Sequence, residues 1–329
     1  MDKNKLVIFS GTAHPKLGES ICKYLNLEVG KAYLGRFPDK EIDIKVNSDV
    51  RGADVYIIQP TCPPVNENLM ELLILIDCLK RASAASITAV IPYYGYARKD
   101  RKDEGRVPIT AKLVANLITT AGVTRLVTLD MHADQVQGFF DIPLDHLLAR
   151  AILIPYFRQL QIPNLVVASS DVGSVKQARA YAKRLEAELA IVDKRRDYTT
   201  RQVVSMNLLG EVTNKNVIIV DDMISTGGTI VEAFKLVKQK GALDVYICAT
   251  HPVLCGDAVP LLKNECPAKE IVVTNSIPIP PDKRLPNMKV LSLGPYLGEA
   301  IRRIHNSESV SYLFEHPVGN FLMPQFEID

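Results

Sequence analysis

Along this chain, short apolar runs rich in β-forming residues alternate with segments whose apolar residues recur every three or four positions. In the first half the short runs are Leu6–Phe9, Asp54–Gln59, Ile87–Ile91 and Arg125–Leu129. Between them, Glu67–Arg81 sets Leu69, Leu72, Leu73, Ile76 and Leu79 at helical spacing, which predicts one buried helix face. Glu41–Val46 (EIDIKV) alternates polar and apolar, as a half-exposed strand does. The pattern then restarts. Leu165–Ala168 predicts a strand, 175–189 a helix, and Ile191–Val192 a short strand. Val217–Val220, Val245–Ala249 and Ile271–Thr274 predict further strands, with helices between most of them. This order predicts an α/β protein with a mainly parallel sheet flanked by helices. A faint echo between RLVTLDMH (125–132) and DVYICATH (244–251), each a strand running into a histidine, supports two related halves. The boundary falls near Pro143–Arg150, giving domains 1–147 and 148–329, with the C-terminal segment packing back. The proline-rich stretch 277–286 reads as a surface loop.

Composition narrows the picture. A length of 329 residues fits two domains and needs no covalent staples. A net charge of +2 argues neither for nor against nucleic acid as a bulk partner and supplies no global basic field, so any anion is recognised locally; no nucleic-acid partner is expected. No apolar run reaches ~18 residues, so no membrane span is expected. The six cysteines form no C-x-x-C pair and read as reduced, mostly buried thiols. The apolar part of MDKNKLVIFSG is too short for a signal peptide, and a cytoplasmic protein is expected.

The candidate chemistry collects at predicted strand ends. In VIIVDDMISTGGTI (217–230) an apolar strand leads to Asp221 and Asp222, then to Ser225, Thr226, Gly227, Gly228 and Thr229 ahead of a helix. In open α/β sheets ligands bind at that edge, and the helix N-terminus favours an anion. No Gly-Lys-Ser/Thr follows, so this is not a Walker A loop. A plain capped turn would explain the glycines but not the two carboxylates. Carboxylates at the end of a buried strand need hydroxyl, metal or basic partners. A phosphorylated sugar bound through Mg²⁺ satisfies turn and carboxylates together.

Four other stretches share the layout. The loop 93–109 carries Arg98, Lys99, Arg101, Lys102 and Arg106 beside Tyr93, Tyr94 and Tyr96. It reads as a solvated charged loop or as a mobile basic lid with aromatic surface beside it. His132 follows one strand, as either a structural histidine or a metal or phosphate contact. Asp171 in ASSDVGS follows another and reads as a second anion or metal turn. Lys194 and Arg196 follow a third, two cations at i and i+2 of an extended segment. They suit either an exposed basic turn or a clamp on a transferring phosphoryl group.

With these residues in place, 217–230 resembles the phosphoribosyl-binding motif of type I phosphoribosyltransferases and of ribose-phosphate pyrophosphokinase. The phrases SGTAHPKLGESI, NLMELLILID, ITAVIPYYGYAR, PITAKLVANLI, QVQGFFDIP and HNSESVSYLF extend the likeness to class I ribose-phosphate pyrophosphokinases over nearly the whole chain. The resemblance implies two similar phosphoribosyltransferase-type, Rossmann-like domains. It also implies transfer of the β,γ-diphosphoryl unit of ATP to the C1 hydroxyl of ribose 5-phosphate, with Mg²⁺. Lys194 and Arg196 would be catalytic, and Asp221, Asp222 and Ser225–Thr229 would hold the sugar phosphate. Phe37, Asp39 and Glu41, reaching from a neighbouring subunit, and Arg98, Lys99 and Asp103 would contact ATP. His132 and Asp171 would serve the Mg²⁺-ATP site. A homohexamer is implied, with Asp49, Arg51, Ser309 and Ser311 in regions that answer to phosphate and ADP.

The chain departs from the family's bacterial pattern at several of these positions. Lys99 stands for glutamine, Ser170 for proline, Ser174 for glycine, Ser225 for aspartate and Asp49 for serine. The departures leave a non-catalytic regulatory paralogue open beside the active enzyme, and the turn alone would also allow a type I phosphoribosyltransferase.

Overall fold

Each apolar run read as a strand is a strand, and the sheets they form are mainly parallel. The computed structural model describes residues 5–196 and 203–315, without the side chains of 195, 196, 203–205 and 315. It divides into two units.

The first unit opens with β1 (Leu6–Ser10), α1 (Pro15–Leu25), β2 (Ala32–Arg36) and β3 (Ile42–Val46). It continues through β4 (Asp54–Ile58), α2 (Val65–Arg81), β5 (Ser86–Ile91), α3 (Thr110–Ala121), β6 (Arg125–Leu129) and β7 (Leu144–Leu147). Five strands form a parallel sheet in the order β1-β4-β5-β6-β7. Strands β2 and β3 stand apart as an antiparallel hairpin, which is why EIDIKV alternates. Successive side chains of the parallel strands point to opposite faces. Val55 and Ile57 join the α2 and α3 residues Leu72, Ile76, Val114 and Ile118 in one core. The intervening Tyr56 and Ile58 are just as buried, so both faces are covered and the runs read as continuously apolar.

The second unit holds Ala149–Asn275 and Ile279–Ser292. Its elements are α4 (Arg150–Gln159), β8 (Leu165–Ser169), α5 (Val175–Leu185), β9 (Glu188–Arg196), β10 (Val203–Leu209) and β11 (Asn216–Ile224). Then come α6 (Gly228–Gln239), β12 (Val245–Pro252), α7 (Ala258–Glu265), β13 (Glu270–Thr274) and β14 (Met288–Leu291). The sheet order is β10-β9-β8-β11-β12-β13-β14, parallel except for β10. From β8 the chain moves outward to β9, then returns to the other side of β8 as β11. The sheet therefore changes direction between β8 and β11. Crevices at such switch points, outside the strands' C-terminal ends, are where open α/β sheets bind ligands.

After β14 the chain rejoins the first unit with α8 (Gly294–His305) and α9 (Tyr312–Glu315). Helix α8 packs on α1. A side chain at Gly298 would sit 2.6 Å from the Tyr24 ring, so glycine permits the close approach. The Tyr24 hydroxyl donates to Glu299 at 2.9 Å.

Three local expectations need correction. The helix expected over 175–189 ends at Leu185, because Glu186 adopts the left-handed conformation. The strand expected at Ile191–Val192 is the nine-residue β9. The strand expected at Val217–Val220 runs on to Ile224. Asp221 and Asp222 thus lie inside β11, with Asp221 opposite Ala249 of β12.

Candidate functional site

In the second unit the C-terminal ends of β9, β8 and β11 are neighbours, so three of the predicted strand ends converge. The turn after β11 leads into α6, with Gly227 as N-cap at φ 84. That left-handed conformation strains any residue with a Cβ. Gly228 begins the helix, and nothing lies within 4 Å of where its Cβ would be. The first N–H groups of a helix lack intrahelical acceptors, and the open space beside Gly228 leaves room for a phosphate near them. Ser225 Oγ lies 3.3 Å from Cys255 Sγ, and the Cys255 N–H donates to the Ser225 carbonyl at 3.0 Å. The loop after β12 thus braces the turn.

Asp221 is held on both oxygens. The Asp222 N–H donates to Oδ1 at 2.8 Å, and Ser170 Oγ donates to Oδ2 at 2.7 Å. Burial raises its pKa well above the ordinary carboxylate value; the neighbouring charges of Asp222 and Asp171 raise it further, and the Ser170 bond opposes the shift. Burial first, and the neighbouring charges after it, thus make an ionised Asp221 costly, a cost that a cation or a sugar hydroxyl would relieve. Asp171 accepts from the Ser174 N–H at 3.1 Å in the turn after β8.

Lys194 and Arg196 lie within β9 and not after it, a further correction. Beyond Ile191, which faces Ser169, β9 leaves β8 and pairs only with β10, setting Lys194 opposite Met206 and Arg196 opposite Val203. The two positions share one face of this ribbon. Lys194, partly buried with its side chain 7% exposed, is ion-paired to Glu232 of α6. The Arg196 side chain lies outside the described residues.

The remaining candidates belong to the first unit. The loop after β5 is irregular and exposed from Arg101 to Arg106, and Arg98 is exposed as well. Lys99 Nζ pairs with Asp103 at 2.9 Å. The expectation of an aromatic surface fails for two of its three tyrosines. Tyr93 and Tyr94 are buried, Tyr94 through a hydroxyl bond to the Ala111 carbonyl and an edge-on contact with Phe140. Only Tyr96 is exposed. Phe37, Asp39 and Glu41 form the exposed tip of the β2–β3 hairpin, closed by the Phe37 N–H to Glu41 carbonyl bond at 2.8 Å. His132 is exposed just past β6. Asp49 accepts from the Arg51 N–H at 3.2 Å, and Ser309 and Ser311 are exposed beyond α8.

The sequence reading missed the roles of Ser170, Ser174, Glu232 and Cys255 beside the candidate residues. Their contacts span 30 to 51 positions of sequence, except for the local Ser170–Ser174 pair. The one available signal was that Ser170 and Ser174 are themselves departures from the family pattern.

The sequence along both units matches known proteins. The model of the N-terminal domain of ribose phosphate pyrophosphokinase matches residues 6–122, and that of the phosphoribosyl synthetase-associated domain matches 195–315. The chain belongs to the ribose-phosphate pyrophosphokinase family. A ribose-phosphate pyrophosphokinase of Rhodopirellula baltica is 54% identical over 314 residues, 94% of this chain and 98% of that one. One from Bacillus subtilis is 51% identical over 313 residues, 95% and 98% of the respective chains. Among solved structures, a phosphoribosylpyrophosphate synthetase from Mycobacterium smegmatis superposes with a TM-score of 0.87 at 43% identity, covering 92% of this chain and all of that one. Within the ribose-phosphate pyrophosphokinase family, then, the two-unit α/β architecture is the expected one.

Proposed function

We propose that this chain transfers the β,γ-diphosphoryl group of ATP to the C1 hydroxyl of ribose 5-phosphate, giving phosphoribosyl pyrophosphate and AMP for nucleotide synthesis. What carries the reading is identity above 50% to ribose-phosphate pyrophosphokinases along nearly the whole chain. The C1 oxygen attacks the β-phosphorus, the bond from that phosphorus to the α,β-bridging oxygen breaks, and the hydroxyl proton passes to solvent. Ser225–Thr229 and the α6 N-terminus take the 5-phosphate, while Asp221 and Asp222 accept from ribose hydroxyls. Phe37, Asp39 and Glu41 of a neighbouring subunit, with Arg98, Lys99 and Asp103, take ATP. The exposed Lys99–Asp103 pair holds little energy and can open to admit it.

Negative charge builds on the transferring group and on departing AMP. Lys194 and Arg196 stabilise that charge as fixed cations and do not act as bases. Removing either is expected to slow the reaction ~10²–10³-fold, the usual loss for a transition-state donor.

Among the described residues no group of three or more His, Cys, Asp or Glu has metal-holding geometry. Mg²⁺ arriving on polyphosphate would keep several waters and take only one or two carboxylates. The costly ionised carboxylate of Asp221 fits a cation. His132 and Asp171 are the residues proposed to meet Mg²⁺-ATP, and Mg²⁺ supplies neutralisation of phosphate charge. The wider reading is a cytoplasmic homohexamer responsive to phosphate and ADP through the Asp49–Arg51 and Ser309–Ser311 regions. Phosphorus NMR of the purified chain with Mg²⁺, ATP and ribose 5-phosphate tests the reaction class. Equal amounts of AMP and a C1 diphosphate ester are expected. ADP with a ribose bisphosphate, one phosphoryl group transferred in place of two, would overturn it.

A further inference from the structure

The turn after β8 reaches across the switch point to β11 through one side chain. Ser170 is 1% exposed, so no water competes for its hydroxyl. Its backbone N–H donates to the Val220 carbonyl at 3.3 Å and to Ser174 Oγ at 3.1 Å. Its hydroxyl has one proton, and the acceptor at 2.7 Å is Asp221 Oδ2. Behind it Ser174 Oγ stands 3.1 Å from Ser170 Oγ and 3.1 Å from the Asp171 carbonyl. The serine pair thus forms a buried support that ends on the carboxylate. The other Asp221 oxygen is taken by the Asp222 N–H at 2.8 Å. An ionised carboxylate has about four acceptor positions, so these two bonds leave others to be presented to incoming hydroxyls. Rotating the carboxylate would break both fixed bonds.

We propose that Ser170, backed by Ser174, is a positioning residue for Asp221, fixing which lone pairs the carboxylate presents to the ribose hydroxyls and so setting affinity for the sugar phosphate. This rests on the reading of Asp221 as a ribose ligand. Lys194 and the ATP contacts are not held by Ser170, so its effect belongs to one substrate.

The test is steady-state AMP formation by the full chain, with both substrates varied. Ser170→Ala is expected to raise KM for ribose 5-phosphate about tenfold, with kcat and KM for ATP within about twofold of the parent. Ser170→Thr, which keeps the hydroxyl, should recover most of that affinity. In an Asp221→Asn background, where KM is already raised, adding Ser170→Ala should cost less than about twofold, because the partner it orients is altered. Ser174→Ala should shift the same KM by about threefold and serves if Ser170→Ala folds poorly. An unchanged KM in Ser170→Ala, equal losses for both substrates, or full additivity with Asp221→Asn would overturn the positioning role. An unchanged ribose 5-phosphate KM in Asp221→Asn alone would overturn the underlying sugar-ligand reading.

Discussion

Asp221 is the residue on which fold stability and chemistry pull in opposite directions. Its carboxyl is raised well above the ordinary range, by burial first and then by Asp222 and Asp171. A carboxyl with a raised native pKa gives the folded state extra proton affinity. That contribution is full below the unfolded-state value and is lost as pH rises through the native value. At neutral pH the ionised group is therefore a burden that a bound sugar or cation relieves. Asp221→Asn should unfold at higher urea than the parent at pH 7 without ligands, and the advantage should vanish in acid. Urea midpoints at several pH values check this, and a variant less stable at pH 7 would contradict it. The two aspartates were visible in the sequence as a charge in need of a partner. The partner was not, because Ser170 is 51 residues away and a serine in a turn carries no pattern. The cysteines were easier. Burial pushes the Cys22 and Cys62 thiols up to about 11 and Cys266 to about 12, as inert core thiols should be.

Among the elements, the turn between β11 and α6 separates two roles that the dipeptide Gly227–Gly228 merges in sequence. Gly227 is needed for its backbone, at φ 84 with ordinary room for a Cβ. Gly228 is helical with open space ahead of it. Gly227→Ala should therefore cost ~1–2 kcal/mol of stability through the left-handed backbone. Gly228→Ala should gain ~0.5–1 kcal/mol as a helical alanine, yet weaken ribose 5-phosphate binding by placing a methyl where phosphate lies. Unfolding and binding measured on both variants should show this crossed pattern; parallel losses would refute it. The strand cores were legible because both faces are covered, leaving unbroken apolar runs. The length of β9 was not. Its outer half, VDKRR, pairs only with β10, and after the core residue Val192 it is all charged, so no apolar period marks it in the sequence. The same pairing sets Lys194 and Arg196 within a strand and not after one.

For the whole molecule, the two-domain plan was readable from the restart of strand–helix alternation. That the C-terminal segment packs back was expected as well, but not its partner, because α8 meets α1 through residues far apart in sequence, Tyr24 and Glu299. Glu299, nearly buried, accepts from Tyr24 at 2.9 Å and from Arg302 and Arg303 at 2.8 Å. Hydrogen bonding from Arg302 holds its carboxyl below the usual range. A depressed native pKa contributes stability above the unfolded-state value, lost as pH falls through the native value. Glu299→Ala should cost ~2 kcal/mol at pH 7, the scale of a lost hydrogen bond to a charged group. The penalty should shrink on acidification, as read from urea unfolding of parent and variant at pH 7 and in acid. A constant penalty would contradict the charged network.

The central proposal is turnover by this chain alone, and release of AMP tests it most directly. Purified protein with Mg²⁺ and ATP should release AMP only when ribose 5-phosphate is added, and Lys194→Ala should abolish nearly all of it. A chain that binds both substrates yet releases AMP only when mixed with an active relative would contradict the proposal, and would mark the regulatory paralogue instead.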